Sequence, residues 1–163
     1  MIAQLRIDDR LIHGQVALVW TKELETPGIV VANDNAAENE MVQMTLKMAT
    51  PTGKKLLIRG VDDAIKVFNN PKAAGMRIFA LTNCVQDALK IAQNVKDIEG
   101  INVANVGRFT KDADEATQLT STLMLSADEL AALKELVKLD VPVFHQVVPS
   151  NTKTAVSSLL KDI

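Results

Sequence analysis

The first 32 residues read MIAQLRIDDRLIHGQVALVWTKELETPGIVVA, and they decide the fold class. Residues 1–7 and 28–32 are short, largely apolar runs, which is typical of buried strands. Residues 12–25 lie between them and show a helical pattern of apolar side chains. A helix that joins two buried strands forms a βαβ unit, and the strands of such a unit are parallel.

The alternation of strands and helices continues to the end of the chain. We predict a single α/β domain over residues 1–163, with a sheet of about seven mostly parallel strands and helices on both faces. Ser126 begins the capping-box sequence S-A-D-E, and the polar segment 107–118 is expected to form a loop or a short hairpin. The other strands are predicted at 55–58, 76–81, 101–106, 120–125 and 141–147, and the other helices from Asn33 or Asn35 to Met48 and at 61–69, 85–95, 126–139 and 152–160.

The composition excludes several classes of function. Lys and Arg number 18 and Asp and Glu number 20, for a net charge of -2, so the chain lacks the basic excess that nucleic acids or anionic membranes attract. Four Phe, one Trp and no Tyr disfavour a site built on aromatic stacking. One Cys excludes an internal disulfide and a thiolate metal cluster, and we expect no metal site.

Neither a targeting segment nor a nucleotide-binding motif is found. The N-terminus is charged within six residues, and no window approaches 18 uninterrupted apolar residues, so we expect a cytoplasmic protein. Gly53-Lys54 is not a P-loop because the glycine required five residues before Gly53 is replaced by Met48. No G-x-G-x-x-G follows a strand, and we expect no cofactor.

The loop after the first predicted strand has the strongest signature of chemistry. Ligands of open α/β sheets bind beyond the carboxyl ends of the strands, which is where this loop lies. A histidine there lies near the positive end of a helix dipole, among unpaired backbone N–H groups, and Gly14 lets the backbone approach a bound group. Within ten residues the loop has two cations, two carboxylates, a histidine and a glycine: Arg6, Asp8, Asp9, Arg10, His13 and Gly14.

These surroundings suit a histidine that accepts a phosphoryl group. The nearby cations and the helix terminus keep a nucleophilic lone pair on the His13 imidazole and neutralise charge on the phosphoryl oxygens during transfer. A carboxylate can fix the imidazole tautomer or orient an arginine. The structural alternative is that His13 only caps a helix or binds a backbone carbonyl, and that Asp8 and Asp9 only form salt bridges with Arg6 or Arg10.

The remaining candidates favour structural roles. His145 lies in a predicted strand and is interpreted as a hydrogen-bonded structural residue. Cys84 is interpreted as a small buried hydrophobe, and Trp20 as a residue of the core or of an interface edge. Met41, Met44 and Met48 recur at helical spacing and are predicted to pack in the core, with a docking surface as the alternative.

Residues 6–16, RIDDRLIHGQV, closely resemble the N-terminal signature of the IIB subunits of the mannose-class sugar phosphotransferase system. The resemblance extends over essentially the whole chain, including the order and number of the predicted elements. Further similar segments are WTK at 20–22, IVVAND at 29–34, AIKVFNNP at 64–71 and INV at 101–103.

The resemblance implies a protein-Nπ-phosphohistidine–sugar phosphotransferase. His13 would accept a phosphoryl group on Nδ1 from the phosphohistidine of a IIA protein or domain. It would then pass the group to a sugar bound by the membrane subunits IIC and IID, so the chain would associate with the membrane permease complex. Arg10 would contact the phosphoryl oxygens, and the backbone amides of the stretch ending at His13 and Gly14 would assist.

One departure and two alternatives accompany this interpretation. Residues 104–107, ANVG, are poorer in glycine than the corresponding loop of many relatives, which leaves the role of Arg108 open. A receiver-like signalling domain is one alternative. It needs an aspartate after the third strand and a lysine after the fifth. The chain reads LLIRG and VGR at these positions, so both residues are missing. A non-catalytic module that binds a phosphosugar or nucleotide stays open, and covalent phosphate would distinguish it from a carrier.

Overall fold

Nine strands form the β-structure of the computed structural model, which describes residues 1–108 and 115–163. Seven of them make one sheet in the order β3-β2-β4-β1-β5-β8-β9, in which only β9 is antiparallel to its neighbour, and β6 and β7 pair separately as an antiparallel hairpin. The strands are β1 (Ile2–Asp8), β2 (Gly28–Ala32), β3 (Lys55–Arg59), β4 (Ile78–Thr82), β5 (Ile101–Asn105), β6 (Thr117–Thr120), β7 (Leu123–Leu125), β8 (Val143–His145) and β9 (Thr154–Ala155).

The helices cover the sheet on both faces, because alternate residues of each buried strand point to opposite sides. In β2, Ile29 and Val31 pack with the helices between residues 16 and 49, whereas Val30 and Ala32 pack with the helices at 61–69, 85–94 and 127–136. The α/β fold class is therefore confirmed. The helices are α1 (Val16–Glu23), α2 (Asp34–Glu38), α3 (Glu40–Ala49), α4 (Val61–Asn69), α5 (Val85–Asn94), α6 (Ala127–Leu136) and α7 (Val156–Leu159).

The segment predicted as one helix up to Met48 contains two helices, each with its own asparagine cap. Asn33 Oδ1 accepts a hydrogen bond from the Ala36 backbone N–H and begins α2. Asn39 Oδ1 accepts from the backbone N–H groups of Met41 and Val42 and begins α3. Asn39 is extended (φ -119°), so it interrupts the helix as it caps the next one.

Two predicted elements in the C-terminal half were wrong. Residues 120–125 were predicted as a single strand, but a turn at residues 121–122 separates β6 from β7. The helix predicted at 152–160 is reduced to α7, since Thr154–Ala155 pairs with β8 as the edge strand β9. The cap at Ser126 is confirmed, because its Oγ accepts from the Glu129 backbone N–H. Residues 109–114 of the polar segment lie outside the described residues.

The predicted core packing of Met41, Met44 and Met48 was also wrong. These three side chains lie on the outer face of α3 and are 65–82% exposed. The face of α3 that packs on the sheet has Val42, Leu46 and Ala49 instead. Trp20 lies in the core, as predicted, with 3% exposure.

Candidate active site

The site lies in the loop between β1 and α1, beyond the carboxyl end of a central strand. The sequence predicts that a helix begins at Ile12, but α1 begins only at Val16. Residues 9–15 instead form a closed loop, in which the Leu11 N–H donates to the Asp8 carbonyl at 2.9 Å and the Arg10 N–H donates to Asp8 Oδ1 at 3.0 Å. Leu11 (φ 58°) and Gly14 (φ 49°) adopt left-handed conformations, which turn the chain sharply.

Asp8 is the centre of the hydrogen-bond network at this loop. Its side chain is fully buried at the end of β1. The Oδ2 atom accepts from Arg6 Nη2 at 3.1 Å and from Asn105 Nδ2 at 2.9 Å, and it lies 2.8 Å from His13 Nε2. One oxygen therefore joins a buried guanidinium, an amide from β5 and the imidazole.

Asp8 is an ionised hydrogen-bond acceptor. Burial alone would raise the pKa of Asp8, but the hydrogen bond with His13, the Arg6 charge and the Arg10 backbone N–H outweigh burial and hold that pKa below its ordinary value. An ionised carboxylate only accepts hydrogen bonds, so the hydrogen between the two groups lies on His13 Nε2. In the neutral form of the ring, this arrangement leaves the lone pair on Nδ1, the nitrogen that does not face Asp8.

Arg6 binds Asp8 from the protein interior and links it to the C-terminal part of the chain. Its side chain is fully buried, and burial lowers the pKa of Arg6 although the Asp8 charge opposes that effect. Arg6 Nη1 donates to the Val147 carbonyl at 2.9 Å, and the guanidinium lies 6.0 Å from the ring centre of Trp20. Trp20 Nε1 donates to the same carbonyl at 2.9 Å. Arg6 is therefore a structural partner of Asp8, out of reach of a ligand at His13.

Arg10 is the cation of the loop that remains available to an anion. Its side chain is about one-third exposed, and Nε lies 4.0 Å from Asp8 Oδ1, too far for a hydrogen bond. Nε is itself buried and has no hydrogen-bond partner among the described residues. The part of Arg10 that an anion can reach is therefore the exposed portion of its guanidinium, three residues before His13.

Asp9 faces away from this network. Its Oδ2 accepts from the Arg108 backbone N–H at 2.8 Å, and burial raises the pKa of Asp9. Asp8 and Asp9 therefore have different roles. Asp8 orients His13 and Arg6, whereas Asp9 fixes the chain after β5. Gly14 is exposed, and a Cβ added there would meet nothing within 4 Å, so its backbone borders open space.

Asn105 is the site residue that the sequence analysis missed. It lies 97 positions after Asp8, and the pairing of β1 with β5 places the two residues side by side. A signal was present in the sequence, because Asn105 is a polar residue at the carboxyl end of an apolar strand. It becomes interpretable only when β5 is known to neighbour β1.

The other candidates have structural contacts. His145 Nδ1 lies 2.6 Å from the Val103 carbonyl, which agrees with the structural role predicted for it. Burial raises the pKa of the Cys84 thiol to about 12, so this cysteine is a poor nucleophile. In the described part of the chain, no group of three or more His, Cys, Asp or Glu side chains is placed to hold a metal ion. None of the described helices is long and apolar enough to cross a membrane.

Comparison with known proteins gives a consistent family assignment. Residues 2–163 match the sorbose-subfamily IIB component of the phosphotransferase system. A probable phosphotransferase enzyme IIB component of Streptococcus pyogenes serotype M6 is 59% identical over 98% of this chain and 99% of its own length. The mannose-specific EIIAB component of Escherichia coli K12 is 30% identical over the whole of this chain, which spans 49% of that relative.

The same assignment follows from the solved structures. The IIBSor domain of the sorbose permease from Klebsiella pneumoniae superposes with a TM-score of 0.89 and 29% identity, over 99% of this chain and 97% of that one. The fold, the family match and the similar relatives all cover the loop that holds Asp8, Arg10 and His13. The chain therefore belongs to the sorbose-type IIB components of the sugar phosphotransferase system.

Proposed function

We propose that this IIB component carries a phosphoryl group on His13 Nδ1. The group would come from a phosphohistidine of a IIA protein or domain and would pass to a sugar bound by the membrane subunits IIC and IID, which select the sugar. The observation that supports this proposal is the 2.8 Å contact between His13 Nε2 and the buried Asp8 carboxylate, which leaves the Nδ1 lone pair available. The name of the E. coli relative, which joins A and B components, supports a IIA donor.

The first step exchanges one P–N bond for another. The Nδ1 lone pair of His13 bonds to phosphorus as the bond to the donor nitrogen breaks, and the donor imidazole keeps that electron pair. Because Nε2 retains its proton, the phosphorylated His13 ring becomes cationic. The Asp8 carboxylate, 2.8 Å from Nε2, stabilises this cation in a buried, low-dielectric position.

Arg10 and the loop backbone would bind the phosphoryl oxygens. The guanidinium of Arg10 is partly exposed and positively charged, and charge neutralisation provides most of the catalysis in phosphoryl transfer. Gln15 precedes α1 without a side-chain cap, so the first N–H groups of that helix also point towards the loop. These donors would act equally in loading and in unloading His13.

The second step returns His13 to its starting state. The sugar hydroxyl oxygen bonds to phosphorus, the P–Nδ1 bond breaks, and the electron pair returns to Nδ1. The proton of the hydroxyl is released to a base beside the sugar or to water. A cationic imidazole is a good leaving group, so the interaction with Asp8 keeps the phosphoryl group transferable.

The test is to map acid-labile phosphate after incubation with phosphoenolpyruvate, the general phosphotransferase proteins and a matching IIA. Trypsin cleaves after Lys and Arg, which places His13 in peptide 11–22 and His145 in peptide 139–153. We expect the label on peptide 11–22 in the wild type and in the matched control His145→Gln, and no label in His13→Ala. Label that persists in His13→Ala would contradict the assignment of the phosphoacceptor.

Arg10 is tested in the same assay. We expect Arg10→Ala to slow the labelling of His13 by at least about tenfold while the thermal unfolding midpoint stays near that of the wild type, since the side chain is partly exposed. A wild-type rate in this variant would remove Arg10 from the mechanism.

A further inference from the structure

The outer face of α3 has a row of exposed methionine side chains. Met41 is 81% exposed, Met44 65% and Met48 82%, and they are three of the seven large hydrophobic side chains that are exposed in the described part of the chain. Their spacings of three and four residues place them along one face of the helix over two turns. The solvent face of a helix normally has polar and charged side chains, so this row indicates an interaction surface.

We propose that the outer faces of α3 from two copies of this chain pack against each other in an antiparallel arrangement and form a homodimer. We call Met41, Met44 and Met48 the methionine stripe. The inference concerns assembly, and it does not depend on the phosphoryl transfer proposed for His13.

The charges beside the methionine stripe are arranged to pair with a second copy. Glu40 and Lys47 are both exposed and lie seven residues apart, so they stand on the same flank of the stripe. The salt bridges of the described residues include neither of these two side chains. The flank is therefore acidic where α3 begins and basic where it ends, and both charges are available to a partner.

An antiparallel pair of helices brings these opposite charges together. Its two-fold axis is perpendicular to both helices and places the same flank of each helix side by side. With the axis midway along the stripe, Met41 of one copy faces Met48 of the other. Glu40 is then offset from Lys47 of the second copy by about 3 Å along the helix axis, which these long side chains can span. A parallel pair would put the two charged flanks on opposite sides and would form neither salt bridge.

The rest of this face can be covered without leaving a hydrogen-bonding group unsatisfied. Thr45 is exposed beside the stripe, and its Oγ1 already donates to the Met41 carbonyl at 3.0 Å. Methionine side chains are unbranched and adjust to one another when they pack. The dipoles of two antiparallel helices also attract each other. The outer face of α3 is therefore complementary to itself, which is the condition for a two-fold interface.

The size of the methionine stripe determines the affinity to be expected. A standard protein–protein interface buries about 800 Å² per partner, and one face of a helix of 10 residues offers less than this area. We therefore expect a reversible dimer with a dissociation constant of about 100 µM.

The test is sedimentation equilibrium of the full chain between about 10 µM and 1 mM. We expect a monomer–dimer equilibrium in the wild type. Met44→Gln keeps helix propensity but removes the apolar side chain nearest the two-fold axis, so we expect at least about tenfold weaker association. Met76→Gln is the matched control, because Met76 is also an exposed methionine and lies outside α3. This control should associate like the wild type.

Charge reversal tests the antiparallel arrangement. Glu40→Lys and Lys47→Glu each place like charges opposite one another, so at low ionic strength each variant alone should associate about tenfold more weakly than the wild type. An equimolar mixture of the two variants joins opposite charges at both ends of the helix pair. We expect this mixture, and also the double variant Glu40→Lys/Lys47→Glu, to recover the association of the wild type.

Several results would overturn the homodimer. They are a wild type that stays monomeric at about 1 mM, wild-type association in Met44→Gln, an equal loss in Met76→Gln, and no recovery in the mixture of charge variants. A monomeric chain whose methionine stripe binds membranes that contain IIC and IID would assign the stripe to those subunits, which also contradicts the homodimer. A lack of label on His13 leaves all these measurements unchanged, so failure of the proposed function is distinguishable.

Discussion

At the scale of single residues, two adjacent carboxylates are placed in opposite electrostatic environments. The pKa of Asp8 is held low by donors from His13, Arg6 and Arg10, whereas burial raises the pKa of Asp9. The difference arises from the alternation of a strand end, because successive side chains point to opposite sides. Removing the charge of Asp8 and removing that of Asp9 should therefore have different consequences.

We predict that Asp8→Asn slows labelling of His13 by at least about tenfold, since the neutral amide no longer stabilises the cationic phosphohistidine. The same change leaves the buried Arg6 charge without its carboxylate and should lower the free energy of unfolding by about 3–5 kcal/mol. Asp9→Asn is the matched control, and we expect its labelling rate to stay within about twofold of the wild type, since its charge is not placed at His13. Equal rates in the two variants would contradict the separate roles of these carboxylates.

The sequence was sufficient to identify the residues of the loop. It was not sufficient to identify all the residues that hydrogen-bond to them. His13, Arg10 and Asp8 lie within six positions, so local spacing alone brings them together. Asn105 and the Val147 carbonyl reach the same network from distant positions, through the pairing of β5 with β1 and the course of the chain after β8. Contacts of this kind depend on strand order, which a single sequence does not specify.

At the scale of elements, two left-handed glycines flank the site and differ in their surroundings. Gly14 (φ 49°) borders open space, whereas a Cβ on Gly107 (φ 99°) would clash with the Met124 carbonyl oxygen. The hairpin of β6 and β7 therefore packs directly on the backbone that follows β5. The Met124 N–H also donates to the Val106 carbonyl at 2.9 Å, which fixes this close approach.

We predict that Gly107→Ala lowers the free energy of unfolding by about 3 kcal/mol or more, because backbone strain and a backbone clash add together. Gly14→Ala should cost only about 1–2 kcal/mol, the penalty of a left-handed alanine with free space around it. Urea unfolding of both variants measures the difference. Similar midpoints for the two would contradict the close packing of the hairpin on Gly107.

Elements that are determined by the local sequence pattern were predictable, whereas elements that depend on pairing with a distant strand were not. The buried parallel strands and the cap at Ser126 follow from apolar runs and a capping box. Strand β9 has only two residues and is formed by its pairing with β8. Without knowledge of that pairing, its sequence resembles the start of a helix. Leu11 and Ile12 are apolar, so the sequence predicts that α1 includes Ile12. Both residues lie in the loop before α1, and their side chains are buried.

At the scale of the whole molecule, acidic side chains whose pKa values are shifted in opposite directions lie at the carboxyl ends of the strands. Burial raises the pKa of Asp87 and of Glu129, as it does for Asp9. A group with a raised folded-state pKa stabilises the fold below its ordinary pKa and loses that contribution as the pH rises. Asp8 has a lowered pKa, so its contribution is present above its ordinary pKa and is lost as the pH falls.

We predict that Glu129→Gln gains stability relative to the wild type as the pH rises from about 4 to 7, because the variant has no buried carboxyl to ionise. The measurement is the urea midpoint of both proteins across this range. A difference that stays constant with pH would show that Glu129 titrates alike in the folded and unfolded chains.

The opposite pH dependence is expected for Asp8→Asn. Its destabilisation relative to the wild type should shrink as the pH falls below about 4, because Asp8 of the unfolded wild-type chain takes up a proton there and the folded carboxylate does so only at lower pH. Asp9→Asn serves as the control, since its pKa is shifted in the other direction. A deficit in Asp8→Asn that grows on acidification would contradict the ionised state of Asp8 in the folded protein.

The Val147 carbonyl accepts hydrogen bonds from both Arg6 and Trp20, and this arrangement has a consequence for synthesis on the ribosome. The loop that contains His13 emerges early, but the buried arginine beneath it gains the Val147 carbonyl as an acceptor only when residue 147 has left the exit tunnel. An arrested or proteolytically shortened chain that ends before this residue contains every side chain of the β1–α1 loop and still lacks this acceptor. The hydrogen-bond network around Asp8 is thus completed late in translation.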